Sequence, residues 1–216
     1  MASTPEKRHA ARVIRQLKRD YPDAVCSLSF QTPFQLLVAT ILSAQCTDER
    51  VNQVTKKLFA KYPTAEAMAK PRISTLERLI QSTGFFRNKA KNIKACCQAL
   101  VQEHNGEVPQ ELETLVQLAG VGRKTANVVL GTAFGIPSGV VVDTHVGRLS
   151  RRLGLTDKTD AVQIERELNN LLPRKEWIDY SHRMIYHGRA VCTARKPRCV
   201  VCHFEEFCPK VGVESE

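Results

Sequence analysis

The chain has 216 residues, with 32 Lys and Arg against 22 Asp and Glu, and a formal charge of +10. With 43% hydrophobic and 25% charged residues it has ordinary globular composition, which excludes a disordered or collagen-like chain, while the basic balance points to a polyanionic partner. The longest apolar run, Leu36 to Leu42, is far too short to span a bilayer, and the basic N-terminus has no apolar core of signal-peptide length. No membrane partner is expected, and the expected compartment is the cytoplasm or nucleoid.

The apolar residues recur at helical spacing throughout, so the fold class expected is all-α with many short helices. Thr4 and Pro5 read as an N-cap and first helical residue, with Val13, Ile14 and Leu17 facing inward and the helix ending before Pro22. Thr32 and Pro33 repeat that start, and the following PFQLLVATILSAQ is apolar nearly all round, as a helix through the centre of a domain would be. Thr47 or Asp48 caps a helix bearing Val51, Val54 and Leu58. Ser74 and Glu77 have capping-box spacing for a short helix that Gly84 ends. A further helix carries Ile93, Cys97, Leu100 and Val101 inward, and others are expected on both sides of Gly120-Val-Gly122 and from about Thr144, Thr159 and Glu176. Gly135, Pro137 and Gly139 give the best break in the second half.

Three segments carry chemistry. In Leu118-Ala-Gly-Val-Gly-Arg-Lys-Thr-Ala126 the glycines allow a sharp turn and close approach to a ligand, Val121 can tuck between helices, and the amides opening the next helix point at an anion. The segment is not a P-loop, because the spacing between its glycines is wrong for one. Taken alone, such a hairpin is equally well a tight helix connection. Val140-Val-Val-Asp-Thr-His145 ends an apolar run in Asp143 at a helix start, where an aspartate is most simply an N-cap.

The third segment is the most specific. Cys192, Cys199, Cys202 and Cys208 are separated by six, two and five residues, a clustering that calls for a metal in a chain with no secretory signal. A structural zinc and an iron-sulfur cluster both accept four thiolates. Arg195, Lys196 and Arg198 lie between the first two of these cysteines, where a metal-stapled loop would fix them against a phosphate backbone.

These segments, in this order, resemble the helix-hairpin-helix DNA glycosylases of base excision repair. LAGVGRKTANVVLGTAFG is similar to that family's hairpin and following helix, VDTH to its catalytic aspartate segment, and the cysteine spacing to its [4Fe-4S] loop. LSAQCTDERVN and HNGEVP add to the likeness, which extends from about residue 30 to 208. Ala119 stands where the family's hairpin usually has proline.

The resemblance implies a six-helix barrel domain over 26–136, with the hairpin motif at about 110–134, and a helical cluster domain made of the N-terminal helix (1–25) and residues 137–216, with the cluster loop at 192–208 and DNA in the cleft between the domains. It implies Lys124 as nucleophile, Asp143 as catalytic carboxylate, and Cys192, Cys199, Cys202 and Cys208 as ligands of a [4Fe-4S] cluster. Gln45 matches the position that fills the gap left by an extruded base, and Phe85 the position of an apolar wedge in the base stack. Gly120, Val121, Gly122, Arg123, Thr125, Thr144, His145, Arg195, Lys196 and Arg198 complete the expected DNA contacts.

The implied activity is that of a bifunctional glycosylase and AP lyase removing oxidised pyrimidines from duplex DNA, acting as a monomer. Such bases have lost aromaticity and stack poorly, so extruding them is easier than extruding a normal base. The alternatives weighed are a monofunctional glycosylase for another lesion and a non-catalytic, metal-stapled DNA-binding module.

Overall fold

The computed structural model describes residues 4–213, and among these it contains helices and no strand. The chain divides into two compact units, one running from Cys26 to Ser138, the other formed by the residues up to Val25 together with those from Gly139 onward.

The continuous unit is built on α2 (Pro33–Ser43). Thr32 caps it by accepting the Gln35 amide, Pro33 opens it, and nine of its eleven residues are buried. Its polar members are satisfied within the unit: Thr40 Oγ1 donates to the Leu36 carbonyl at 2.7 Å, and Gln35 Oε1 accepts the Gln31 amide at 2.8 Å. Each fully buried Leu or Ile here contributes about 1.5–3 kcal/mol, so a helix with no polar face is stable only at the centre of a bundle. Around it pack α3 (Asp48–Lys61), α6 (Phe86–Glu103) and α8 (Arg123–Phe134). The short α4 (Ala65–Ala69) and α5 (Ile73–Ile80) lie against α6, and α7 (Leu112–Leu115) leads into α8.

Thr47, not Asp48, caps α3, leaving Asp48 and Glu49 in the first turn, where they complement the helix dipole. The capping box expected at Ser74 does not form. Arg72 is extended at the N-cap position and α5 starts at Ile73, which places Ser74 inside the first turn. Val101, expected to face inward, sits at the edge of the α6 stripe and is 38% exposed, while Cys96, beside Cys97, is buried.

In the second unit α1 (Pro5–Asp20) packs on α10 (Ala161–Leu171) and α11 (Trp177–Ala190), and α11 packs on α9 (Thr144–Arg152). Val13, Leu17, Val146, Leu149, Leu168, Tyr180, Met184 and Phe204 form its core. The Tyr180 hydroxyl, fully enclosed, pairs with Ser150 Oγ at 2.9 Å. Lys18 on α1 meets the buried Glu176 at 2.7 Å, fastening the N-terminal helix to the segment that opens α11. Asp160, one residue beyond the expected start, caps α10 through the amides of Val162 and Gln163.

Candidate active site

The hairpin between α7 and α8 is a turn of two dissimilar glycines. Gly120 has φ +78°, and a Cβ there would lie 2.8 Å from Asn92 Cβ on α6, so the position needs glycine for both conformation and space. Gly122 has φ −87°, open to any residue, and nothing lies within 4 Å of where its Cβ would stand. Its lack of a side chain leaves the start of α8 approachable. Gly122 is also the N-cap of α8 and supplies no side-chain acceptor, so the first-turn amides of a twelve-residue helix are not capped by it. Arg123 and Lys124 are exposed in that turn, with Thr125 half-buried beside them. Val121 is 5% exposed and belongs to the hydrophobic core, so only its backbone is available to a ligand.

Gln45 and Phe85 lie in the same unit on two separate turns. Both are exposed, and both adopt left-handed backbone conformations, φ 52° and 46°, that non-glycine residues seldom take. Phe85 is 65% exposed, an unusual position for an aromatic ring with no packing to explain it.

Asp143 belongs to the other unit. It is the N-cap of α9, its Oδ1 accepting the Val146 amide at 2.8 Å. The cap engages one carboxylate oxygen and fixes the carboxylate at the head of α9. Thr144 is exposed beside it. His145 is half-buried, with Nδ1 accepting from Arg148 Nη2 at 3.3 Å. Burial is the main cause holding its pKa below the ordinary value, opposed by Asp143 and assisted by Arg148 and Arg189.

The four late cysteines line one small hollow, part of it open to solvent, together with Leu149, Arg152, His187 and Phe204. All four are half-buried free thiols. Burial, foremost, pushes the Cys202 thiol up to about 11, and the other three sulfurs add to the rise, a donor set that a cation at its centre would relieve. Among the described residues, no three His, Cys, Asp or Glu donors converge as they would on a single ion.

Two arginines on α9 are structural members of the loop that sequence reasoning did not single out. Arg152 donates to Cys192 Sγ at 3.3 Å and to the carbonyls of Thr193 and Ala194 at 2.7 and 2.8 Å. Arg148 donates to the Cys192 carbonyl at 2.9 Å. The local signal for Arg152 is its place in a stripe with Leu149 and Leu153, where a cation has to find buried acceptors. Arg195 and Lys196 project from the loop exposed, while the Arg198 guanidinium donates to the Ala190 carbonyl and so braces the loop as well.

A sequence profile of the HhH-GPD superfamily of base excision DNA repair proteins matches residues 38–174. The chain belongs to that superfamily. Endonuclease III of Synechocystis sp. is 59% identical over 204 residues, covering 94% of this chain and 93% of its own. A solved non-covalent endonuclease III–DNA complex matches with a TM-score of 0.90 at 43% identity, covering 97% of each chain, and a trapped endonuclease III–DNA covalent intermediate matches with the same figures. Within the superfamily, the chain is a member of the endonuclease III family.

Proposed function

We propose that this protein is a bifunctional DNA glycosylase and AP lyase of base excision repair, which removes oxidised pyrimidines from duplex DNA through a Schiff base on Lys124. The observation that carries the reading is the head of α8, where an exposed lysine stands in the first turn of a helix whose glycine N-cap supplies no side-chain acceptor and leaves a bare edge. Amides and dipole there suit a DNA phosphate, and the lysine beside them suits attack on the sugar of an extruded nucleotide. A binding module would need the amides but not the amine.

In the reaction, the neutral Lys124 amine forms a bond to C1′ as the glycosidic bond breaks, and the base leaves with the electron pair and gains a proton. Asp143 is assigned as the carboxylate that stabilises positive charge developing on the sugar and accepts a proton. The substituted amine then gives up a proton and the C1′–O4′ bond breaks, O4′ leaving as the ring-opened hydroxyl, to form an iminium that acidifies C2′–H. Loss of that proton and cleavage of the C3′–O bond complete β-elimination on the 3′ side of the AP site, and water then releases Lys124.

Cys192, Cys199, Cys202 and Cys208 would hold a [4Fe-4S] cluster. Four thiolates on one zinc would stand about 3.8 Å apart, given a Zn–S distance of about 2.3 Å, whereas each thiolate of a cluster binds its own iron, which suits sulfurs arranged around a hollow. The cluster when bound supplies structure and fixes the loop bearing Arg195 and Lys196 against the DNA backbone.

The test is product analysis on a duplex holding one thymine glycol. The reading expects free base together with a 3′ unsaturated aldehyde end and a 5′ phosphate, and visible iron-sulfur absorbance in the purified protein. Base release with an intact strand contradicts the lyase half, and a colourless zinc protein without either product contradicts both.

A further inference from the structure

Helix α6 presents Lys89, Ile93, Cys97 and Leu100 to the core at helical spacing, and the first of these is a lysine only 4% exposed. Its Nζ donates to the Leu42 carbonyl at 2.8 Å and to the Thr83 carbonyl at 2.7 Å. Leu42 lies in the last turn of α2, among carbonyls that have no partner within their own helix, and the cation also complements the negative end of that helix. Thr83 ends the 3-10 turn that follows α5.

These acceptors have a position in common. Leu42 stands three residues before Gln45, and Thr83 stands two before Phe85, the two exposed residues with left-handed backbones. Such conformations persist only when the surroundings over-determine them. An ammonium is a compact charge with three donors, so one Nζ can grip two turns distant in sequence at once.

We propose that Lys89 is a positioning residue for base extrusion: its ammonium, bonded to the Leu42 and Thr83 carbonyls, holds the turn bearing Gln45 and the turn bearing Phe85 in register with each other. This rests on the reading of Gln45 and Phe85 as the residues that enter the base stack. The two groups have to arrive together, one into the vacated space and one between bases, and a fixed spacing between their turns makes that a single event.

The same helix supplies the control. Lys94 donates to the Ala69 and Pro71 carbonyls at 2.9 and 2.6 Å, the same chemistry applied to a turn that carries no assigned DNA residue. Lys94 is less buried than Lys89, so the comparison reads the duplex to single-strand ratio and not stability: a merely structural role for Lys89 would leave that ratio unchanged in both.

The experiment compares Lys89→Met, Lys89→Gln and Lys94→Met, in cluster-loaded protein, on two substrates. One is a duplex with a single thymine glycol beside 2-aminopurine, which must be opened; the other is a single-stranded AP-site oligonucleotide, which has no stack to open. Lys89→Met is expected to slow duplex excision about a hundredfold and to remove the 2-aminopurine signal of unstacking, while single-strand cleavage holds. Lys89→Gln, which keeps a donor, is expected to fall between, and it carries the comparison if the methionine variant does not fold. Lys94→Met is expected to leave the duplex to single-strand ratio unchanged.

A Lys89 variant whose two rates fall together, or that behaves as Lys94→Met does, overturns the proposal. Phe85→Ala and Gln45→Ala separate the two levels of failure. If they collapse the duplex rate and the Lys89 variants do not, the Lys89 assignment alone is wrong; if they leave it intact, the reading of the two turns is wrong and the proposal falls with it.

Discussion

Replacing the two hairpin glycines in turn by alanine separates what the turn does for the fold from what it does for DNA. At Gly120 the backbone has φ +78°, and the new Cβ would stand 2.8 Å from Asn92 Cβ and 3.1 Å from its Nδ2. The left-handed conformation costs an alanine about 1–2 kcal/mol. The clash is with an atom one bond from the α6 backbone, which cannot swing aside, and overpacking of that kind costs about 1–3 kcal/mol. Together these give about 2–5 kcal/mol, toward the lower end where α6 yields slightly, or a Tm lower by about 4–20 °C in a chain of this size. At Gly122 there is neither a positive φ nor a neighbour within 4 Å, and the loss of a glycine N-cap costs less than about 1 kcal/mol. Its Cβ does enter the space before the α8 amides. Losing an amide-to-phosphate contact there costs about 1.5–3 kcal/mol, which weakens binding about tenfold to a hundredfold. Thermal melting beside fluorescence anisotropy, on a duplex with an uncleavable AP-site analogue at fixed salt, reads both effects. Gly120→Ala should melt low; Gly122→Ala should melt near the native protein and bind poorly. A Gly122→Ala protein that melts as low as Gly120→Ala, or that binds as tightly as the native one, refutes the reasoning.

Asp143→Asn should keep the cap on α9, since asparagine caps as well as aspartate, while single-turnover excision falls far more than affinity; equal losses in both would return Asp143 to a capping role alone. Changing Arg195 and Lys196 together to glutamine should flatten the plot of log binding constant against log salt by about 1.8, at about 0.9 per phosphate contact, and an unchanged slope would remove the loop from the DNA interface. Burial holds the His182 pKa below its ordinary 6.5. The unfolded chain therefore takes up this proton first as pH falls, so stability is full above about 6.5 and declines as pH drops toward the folded value. His182→Gln should flatten that acid limb in melts taken across the range, and a limb of unchanged steepness would assign it to other groups.

The helix starts were legible where a hydroxyl and a proline stand together, at Thr4-Pro5 and Thr32-Pro33, because capping is a local bond that needs no tertiary context. Ser74 has capping-box spacing to Glu77, but α5 begins at Ile73 behind the extended Arg72, so Ser74 lies inside the helix and cannot cap it. The five residues of α4 give too little periodicity to be read. At the site, the turn at Gly120 and Gly122 and the grouping of the four late cysteines were legible from spacing as structure, while the roles assigned to them came from the family resemblance. The left-handed backbones at Gln45 and Phe85 were not, since neither residue type announces a positive φ. Nor were the grips of Arg152 on Ala194 and of Lys89 on Leu42, which join residues more than forty positions apart. A lysine inside an apolar helical stripe was the available signal for the second, and it becomes informative only once the acceptors it reaches are known.

The central claim is that Lys124 bonds to the sugar of a damaged nucleotide. Borohydride reduction during reaction with a thymine glycol duplex, run on the native protein and on Lys124→Ala with an undamaged duplex as control, addresses it directly. The account predicts a covalent protein–DNA complex from the native protein and damaged duplex only, with Lys124→Ala still binding that duplex. A complex trapped by Lys124→Ala, or none trapped by native protein that binds the damaged duplex tightly, would contradict it.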